Sequence, residues 1–144
     1  NVMFDPASGS VKLTDFGLAR SADAQATRSG MLLGSPAYMA PELLAGARAD
    51  AASDLYALGV LLFELLTGRL PFASDSMGAL LRAIASQAPQ TVSALRPDLP
   101  ATQAAVLDAA LAPVLARSPA GRERDGDAWA SELRQLRQSV FRPR

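Results

Sequence analysis

The sequence predicts an α+β domain that is mainly α, with one small β-hairpin at its N-terminal edge. Three observations carry this. Of the 144 residues, 49% are hydrophobic and 19% charged, the balance of a folded globular chain long enough to bury one core. Strand-like alternation is confined to the segment before Thr14. From Pro41 onward the apolar residues fall at helical spacing, punctuated by Gly and Pro.

The first element is the run Val2-Met3-Phe4, stopped by the turn formers Asp5-Pro6-Ala7-Ser8-Gly9. Ser10 to Thr14 then alternates, with Val11 and Leu13 on one face. Together these predict a hairpin with a longer loop. Residues 21–34 are small, polar and aperiodic, as in an exposed loop. Pro41 opens a short helical turn, where its missing N–H costs nothing. Ser53 or Asp54 is positioned to cap the next helix, which runs to about Thr67 and stops at Gly68. That helix is apolar nearly all round and is expected at the centre of the core. Leu70-Pro71-Phe72 is extended, because the residue before Pro avoids the α region. A helix over Ser76 to Gln87 follows, then a Pro-spaced connection from Pro89 to Pro100. Ala101 to about Leu115 carries Val106, Leu107, Ala110 and Leu111 at helical spacing, and an amphipathic helix runs from about Asp127 to Gln138. Trp129, on that last helix, is expected in the core.

Composition narrows the chemistry. Lys plus Arg and Asp plus Glu each number 14, so no bulk charge points to nucleic acid or an anionic membrane. Cys and His are both absent, which removes disulfides, thiolate metal sites and His-activated nucleophiles. Catalysis would have to run on carboxylates, amides, hydroxyls and basic side chains. The chain opens on Asn1 with no charged and apolar leader, so no signal peptide is expected. The apolar stretch Leu55 to Leu66 is interrupted by Glu64 and is shorter than the roughly 20 residues of a membrane span.

Several motifs then occur in order. Asp15-Phe16-Gly17 ends the second strand and leads into Leu18-Ala19-Arg20. Gly34-Ser35-Pro36-Ala37-Tyr38-Met39-Ala40-Pro41-Glu42 follows the polar loop, Ser53-Asp54-Leu55-Tyr56-Ala57-Leu58-Gly59 opens the apolar helix, and Ser118-Pro119-Ala120-Gly121-Arg122 lies far downstream. In this arrangement the sequence resembles the protein kinase superfamily, in particular its bacterial Ser/Thr branch. The resemblance covers almost the whole chain, from Asn1 to about Leu133. It implies the helical C-lobe of a kinase over residues 1–138 with a tail at 139–144, and an N-lobe missing from this stretch.

The resemblance implies roles residue by residue. Asn1-Val2-Met3-Phe4 looks like the end of the catalytic loop, which makes Asn1 the metal-binding Asn; the loop's Asp, the general base, would fall about five residues upstream. Asp15 would give a carboxylate, and Asn1 an amide oxygen, to the Mg²⁺ ions that accompany ATP, since Mg²⁺ takes hard oxygen ligands. Phe16 would pack under the helix that aligns the site, and Gly17 would let the backbone switch. Ser35 stands where relatives have a Thr whose hydroxyl contacts the catalytic Asp, or it is a plain turn residue. Gly34 to Tyr38 would floor the substrate-peptide site. Thr27 and Ser29 stand where relatives carry phosphorylatable hydroxyls, with Arg20 as a nearby cation; the bland alternative is a solvated loop. Glu42 and Arg122 would form a buried ion pair, or else be unrelated surface charges. Asp54 would hold the catalytic loop through backbone N–H groups, or simply cap its helix.

The implied activity is transfer of the ATP γ-phosphate to Ser and Thr hydroxyls of protein substrates, with catalysis resting on positioning and charge neutralisation. The 144-residue chain alone is expected to be inactive, and apolar surface is expected to be exposed on it. A pseudokinase or protein-docking module is the alternative, and a gene remnant a third reading. The expected setting is cytoplasmic, with room for a membrane anchor beyond Arg144, for a dimer that supports autophosphorylation, and no nucleic acid partner.

Overall fold

A computed structural model describes residues 1–14, 36–122 and 125–140. The chain divides into two compact units, Asn1–Leu33 and Gly34–Arg144.

In the first unit, strands β1 (Val2–Asp5) and β2 (Ser10–Leu13) pair antiparallel, with Val2 opposite Leu13, Met3 opposite Lys12 and Phe4 opposite Val11. The turn forms because Asp5 bonds forward: its carboxylate accepts the Ala7 N–H at 3.0 Å, and Gly9, at φ 68°, donates to the Asp5 carbonyl. Opposed residues share a face, so Val2, Phe4, Val11 and Leu13 line one side of the ribbon. That side is open, with Phe4 64% and Val11 62% exposed.

The second unit is helical. Its α-helices are α1 (Pro41–Leu44), α2 (Ala51–Thr67), α3 (Met77–Ser86), α4 (Val92–Leu95), α5 (Ala101–Leu115) and α6 (Gly126–Val140). Short 3₁₀ turns occupy Pro36–Tyr38 and Pro119–Gly121. The expected mainly helical α+β class, with its two-stranded hairpin, is the class observed.

Local chemistry places the helix ends. The cap of α2 corrects the expectation of Ser53 or Asp54: it is Asp50. Its backbone is extended, its carboxylate accepts the Ser53 N–H at 3.0 Å, and Ser53 Oγ accepts the Asp50 N–H at 2.9 Å. This reciprocal box starts the helix earlier and puts Asp54 inside the first turn. Gly68 closes α2 at φ 69°, in the left-handed region that glycine tolerates. Ser76 caps α3 through the Ala79 N–H. Helix α4 interrupts the Pro-spaced connection, where sequence pattern indicated no helix. Thr91 caps it, and Asp108 of α5 accepts the Val92 and Ser93 N–H groups at 2.6 and 3.3 Å. Asp125 accepts the Asp127 and Ala128 N–H groups and thereby starts α6.

The main core joins Leu55, Tyr56, Val60 and Phe63 of α2 to Leu107, Leu111, Val114 and Leu115 of α5 and to Trp129 of α6. Trp129 is 3% exposed and its indole N–H donates to the Ala110 carbonyl at 2.9 Å. A smaller cluster holds Phe72, Ala83 and Ile84. Helix α2 is central by one side only, because Leu58 and Leu65 face out on the other. Among the described residues no helix is long and apolar enough to cross a membrane.

The α2–α5 contact depends on Gly59. A Cβ there would lie 2.7 Å from Val114 Cγ2 and 3.2 Å from Leu115 Cδ2. Val114 is β-branched and fully buried, so it has little freedom to yield. Gly59→Ala gains about 1 kcal/mol of helix propensity but loses about 1–3 kcal/mol to overpacking. The expected net effect in urea denaturation is destabilisation by about 1 kcal/mol. Val114→Ala in the same chain should relieve part of that loss, so the two changes are less than additive.

Candidate active-site framework

Asn1 sits at the open end of the hairpin. Its carbonyl accepts the Thr14 N–H at 2.8 Å and the Thr14 hydroxyl at 3.3 Å, which adds one rung beyond Val2 and Leu13. The ladder therefore brings the backbone of Asn1 against Thr14, the residue preceding Asp15 in the chain. The Asn1 side chain is exposed, and among the described residues its amide has no partner. Asp15, Phe16, Gly17, Arg20, Thr27, Ser29, Gly34 and Ser35 lie outside the described residues.

In the helical unit the segment leading into α1 is held at both ends. At one end, the Tyr38 hydroxyl donates to the Glu64 carboxylate on α2. That bond, reinforced by burial and the Glu64 charge, pushes the Tyr38 phenol up to about 12, so the donor stays protonated. At the other, Glu42 on α1 meets Arg122, which follows the turn Pro119–Gly121. Arg122 Nη1 bonds one carboxylate oxygen and Nη2 the other, the latter at 3.0 Å. The Arg122 side chain is 0% exposed and that of Glu42 14%.

Arg122 does more than pair. Its Nε donates to the Ala116 carbonyl at 2.9 Å, Nη2 to Arg117 at 3.1 Å and Nη1 to Ala52 at 3.4 Å. Its guanidinium carbon stands 4.9 Å from the centre of the Tyr56 ring. One planar cation thus ties α1, the start of α2 and the end of α5, and stacks on an aromatic face. Carbonyls at the C-terminal end of α5 suit a cation on dipole grounds as well.

The structure does not bring Asp54 to a partner among the described residues. It stands largely exposed on the first turn of α2, and partial desolvation, then the neighbouring Asp50 charge, raises its carboxyl from the ordinary value. Sequence reasoning missed Glu64 as the anchor of Tyr38, although an acid inside an apolar helix was the visible signal. It missed Asp108 and Arg96 too. Arg96 donates to the Leu66 carbonyl near the end of α2 and pairs with Asp98.

Comparison with known proteins places this framework. The family described as Protein kinase domain matches residues 1–138. The serine/threonine-protein kinase pkn3 of Myxococcus xanthus is 37% identical over 92% of this chain and 25% of its own length. PknA of Mycobacterium tuberculosis is 37% identical over 100% of this chain and 32% of its own length. A PknA from Corynebacterium glutamicum is 37% identical over 94% and 28%. The chain thus spans between a quarter and a third of these curated relatives. A match over nearly the whole chain, on a helical unit braced by Glu42 and Arg122, makes this protein a member of the protein kinase domain family, alongside bacterial serine/threonine-protein kinases.

Proposed function

We propose that the protein carrying this chain transfers the γ-phosphate of ATP to Ser and Thr hydroxyls of proteins with the help of Mg²⁺, and that Asn1 and Asp15 hold the metal. The observation that carries this reading is the ordered set of motifs, from Asn1 through Asp15-Phe16-Gly17 to Arg122, inside a stretch matched to the family over residues 1–138. The donor set fits a hard cation: an amide oxygen and a carboxylate, in a chain without His or Cys. The metal, when bound, supplies neutralisation of phosphate charge. Asp15 contributes the anionic oxygen, Asn1 the neutral one, and Phe16 and Gly17 set the backbone that presents Asp15. Ser35 contacts the general base, which lies upstream of Asn1. Thr27 and Ser29 are regulatory phosphorylation sites in the loop between. Glu42, Arg122 and Asp54 are structural.

Purified full-length protein should pass radiolabelled phosphate from ATP to a protein substrate on Ser or Thr, and a chelator should abolish the transfer. The 144-residue chain alone should transfer none, because the base is outside it. Full-length protein that binds ATP with Mg²⁺ yet labels nothing would overturn the reading in favour of a docking role.

A further inference from the structure

The helical unit contains a cavity of about 310 Å³ bounded by α1, α2, α3 and α5, within the size range of small-molecule sites. Its two sides differ chemically. Phe63, Phe72, Ile84, Leu111 and Leu115 line it from the core, and all are buried. Gln87, Gln90, Ala112 and Arg117 line it as well and are exposed, so on that side it opens to water. An occupant therefore meets an apolar floor and a polar rim.

At the rim the acceptors are engaged and donors are left over. Asp108, the one acid among the described lining residues, accepts the Val92 and Ser93 N–H groups at 2.6 and 3.3 Å. Thr91 Oγ1 accepts the Ala94 N–H. Arg117 Nη2 donates to the Ser86 and Gln87 carbonyls at 3.0 and 3.3 Å. These carbonyls end α3, where a cation is favoured, and the two bonds hold the guanidinium at the rim. Among the described residues Arg117 Nε and Nη1 donate to nothing, and no carboxylate lies within ion-pair distance of the guanidinium. The Gln87 and Gln90 side-chain amides make no hydrogen bond among the described residues either. A doubly charged phosphate would meet one cation and the Asp108 charge nearby. A carboxylate carries a single charge and accepts from guanidinium and amide N–H groups alike.

We propose that this cavity binds a small organic acid, with an aromatic or short aliphatic body on the apolar floor and one carboxylate at the rim, held by Arg117 beside the Gln87 and Gln90 amides. None of its lining residues is assigned to phosphoryl transfer, so the site stands whether or not that assignment holds. The probes are 3-phenylpropionate and its neutral amide, 3-phenylpropionamide, followed by ligand-detected NMR on the full-length protein. The acid should bind saturably and about tenfold more tightly than the amide. Arg117→Gln should weaken the acid about tenfold and leave the amide nearly unchanged, which erases the preference. Ala112→Phe adds bulk from an exposed position on the cavity wall and should abolish binding of both. No saturable binding of the acid, equal affinity for acid and amide, a preference that survives Arg117→Gln, or binding that survives Ala112→Phe overturns the proposal. If Arg117→Gln does not fold, the preference of the unaltered protein and the loss of binding in Ala112→Phe decide the matter.

Discussion

Replacing Arg122 with Ala is expected to destabilise the helical unit by about 3–5 kcal/mol. The estimate follows from what would be left behind. Glu42, 14% exposed, would keep its charge without its partner. The carbonyls of Ala52, Ala116 and Arg117 would lose a charged donor, and the Tyr56 ring would lose the cation stacked on it. Surface ion pairs contribute about 0–1 kcal/mol because water replaces the partner; here burial prevents that. Arg122→Lys should recover only part of the loss, since an ammonium cannot reproduce the two-pronged contact with Glu42 or the stacking. Glu42→Gln should cost less than Arg122→Ala, because it leaves a buried guanidinium still bonded to several carbonyls. Urea denaturation followed by circular dichroism measures all three. A loss below about 1 kcal/mol for Arg122→Ala would mean that water reaches the pair.

Asp15→Ala in the full-length protein should lower phosphoryl transfer by at least about a hundredfold, the scale of removing one preorganised charge-stabilising group, while leaving the melting temperature unchanged. The reasoning is electrostatic. Under the proposed function, Asp15 supplies the anionic oxygen to the metal and Asn1 the neutral one, so losing the carboxylate removes the stronger ligand. Asn1→Ala should therefore cost less than Asp15→Ala. Initial rates at saturating ATP, with a parallel thermal melt, test both. Full activity in Asp15→Ala would remove the metal-holding role from this position.

Much of the fold was legible because its signals are local. Pro41 at a helix start, Gly68 after Thr67 and the alternation of Val11 and Leu13 each act within a few residues, and each element lies where they indicate. The start of α2 was misread for a similar reason. Asp50, Ser53 and Asp54 are all competent caps by type, and only the backbone, extended at Asp50 and helical after it, selects among them. Helix α4 was illegible because one of its caps comes from Asp108, on a different helix.

By itself, the sequence determined the fold class, the order of the elements and the family resemblance, because period, turn chemistry and motif spacing are properties of neighbours along the chain. The tertiary structure decided which charges meet. Glu42 and Arg122 are 80 positions apart, and no local rule gives their distance, their burial or the Tyr56 ring beneath the guanidinium. It likewise decided that the Tyr56 hydroxyl would be buried without a hydrogen-bond partner among the described residues. Hydrogen-bond satisfaction in a core depends on every group that converges there, and that convergence exists only once the helices have packed.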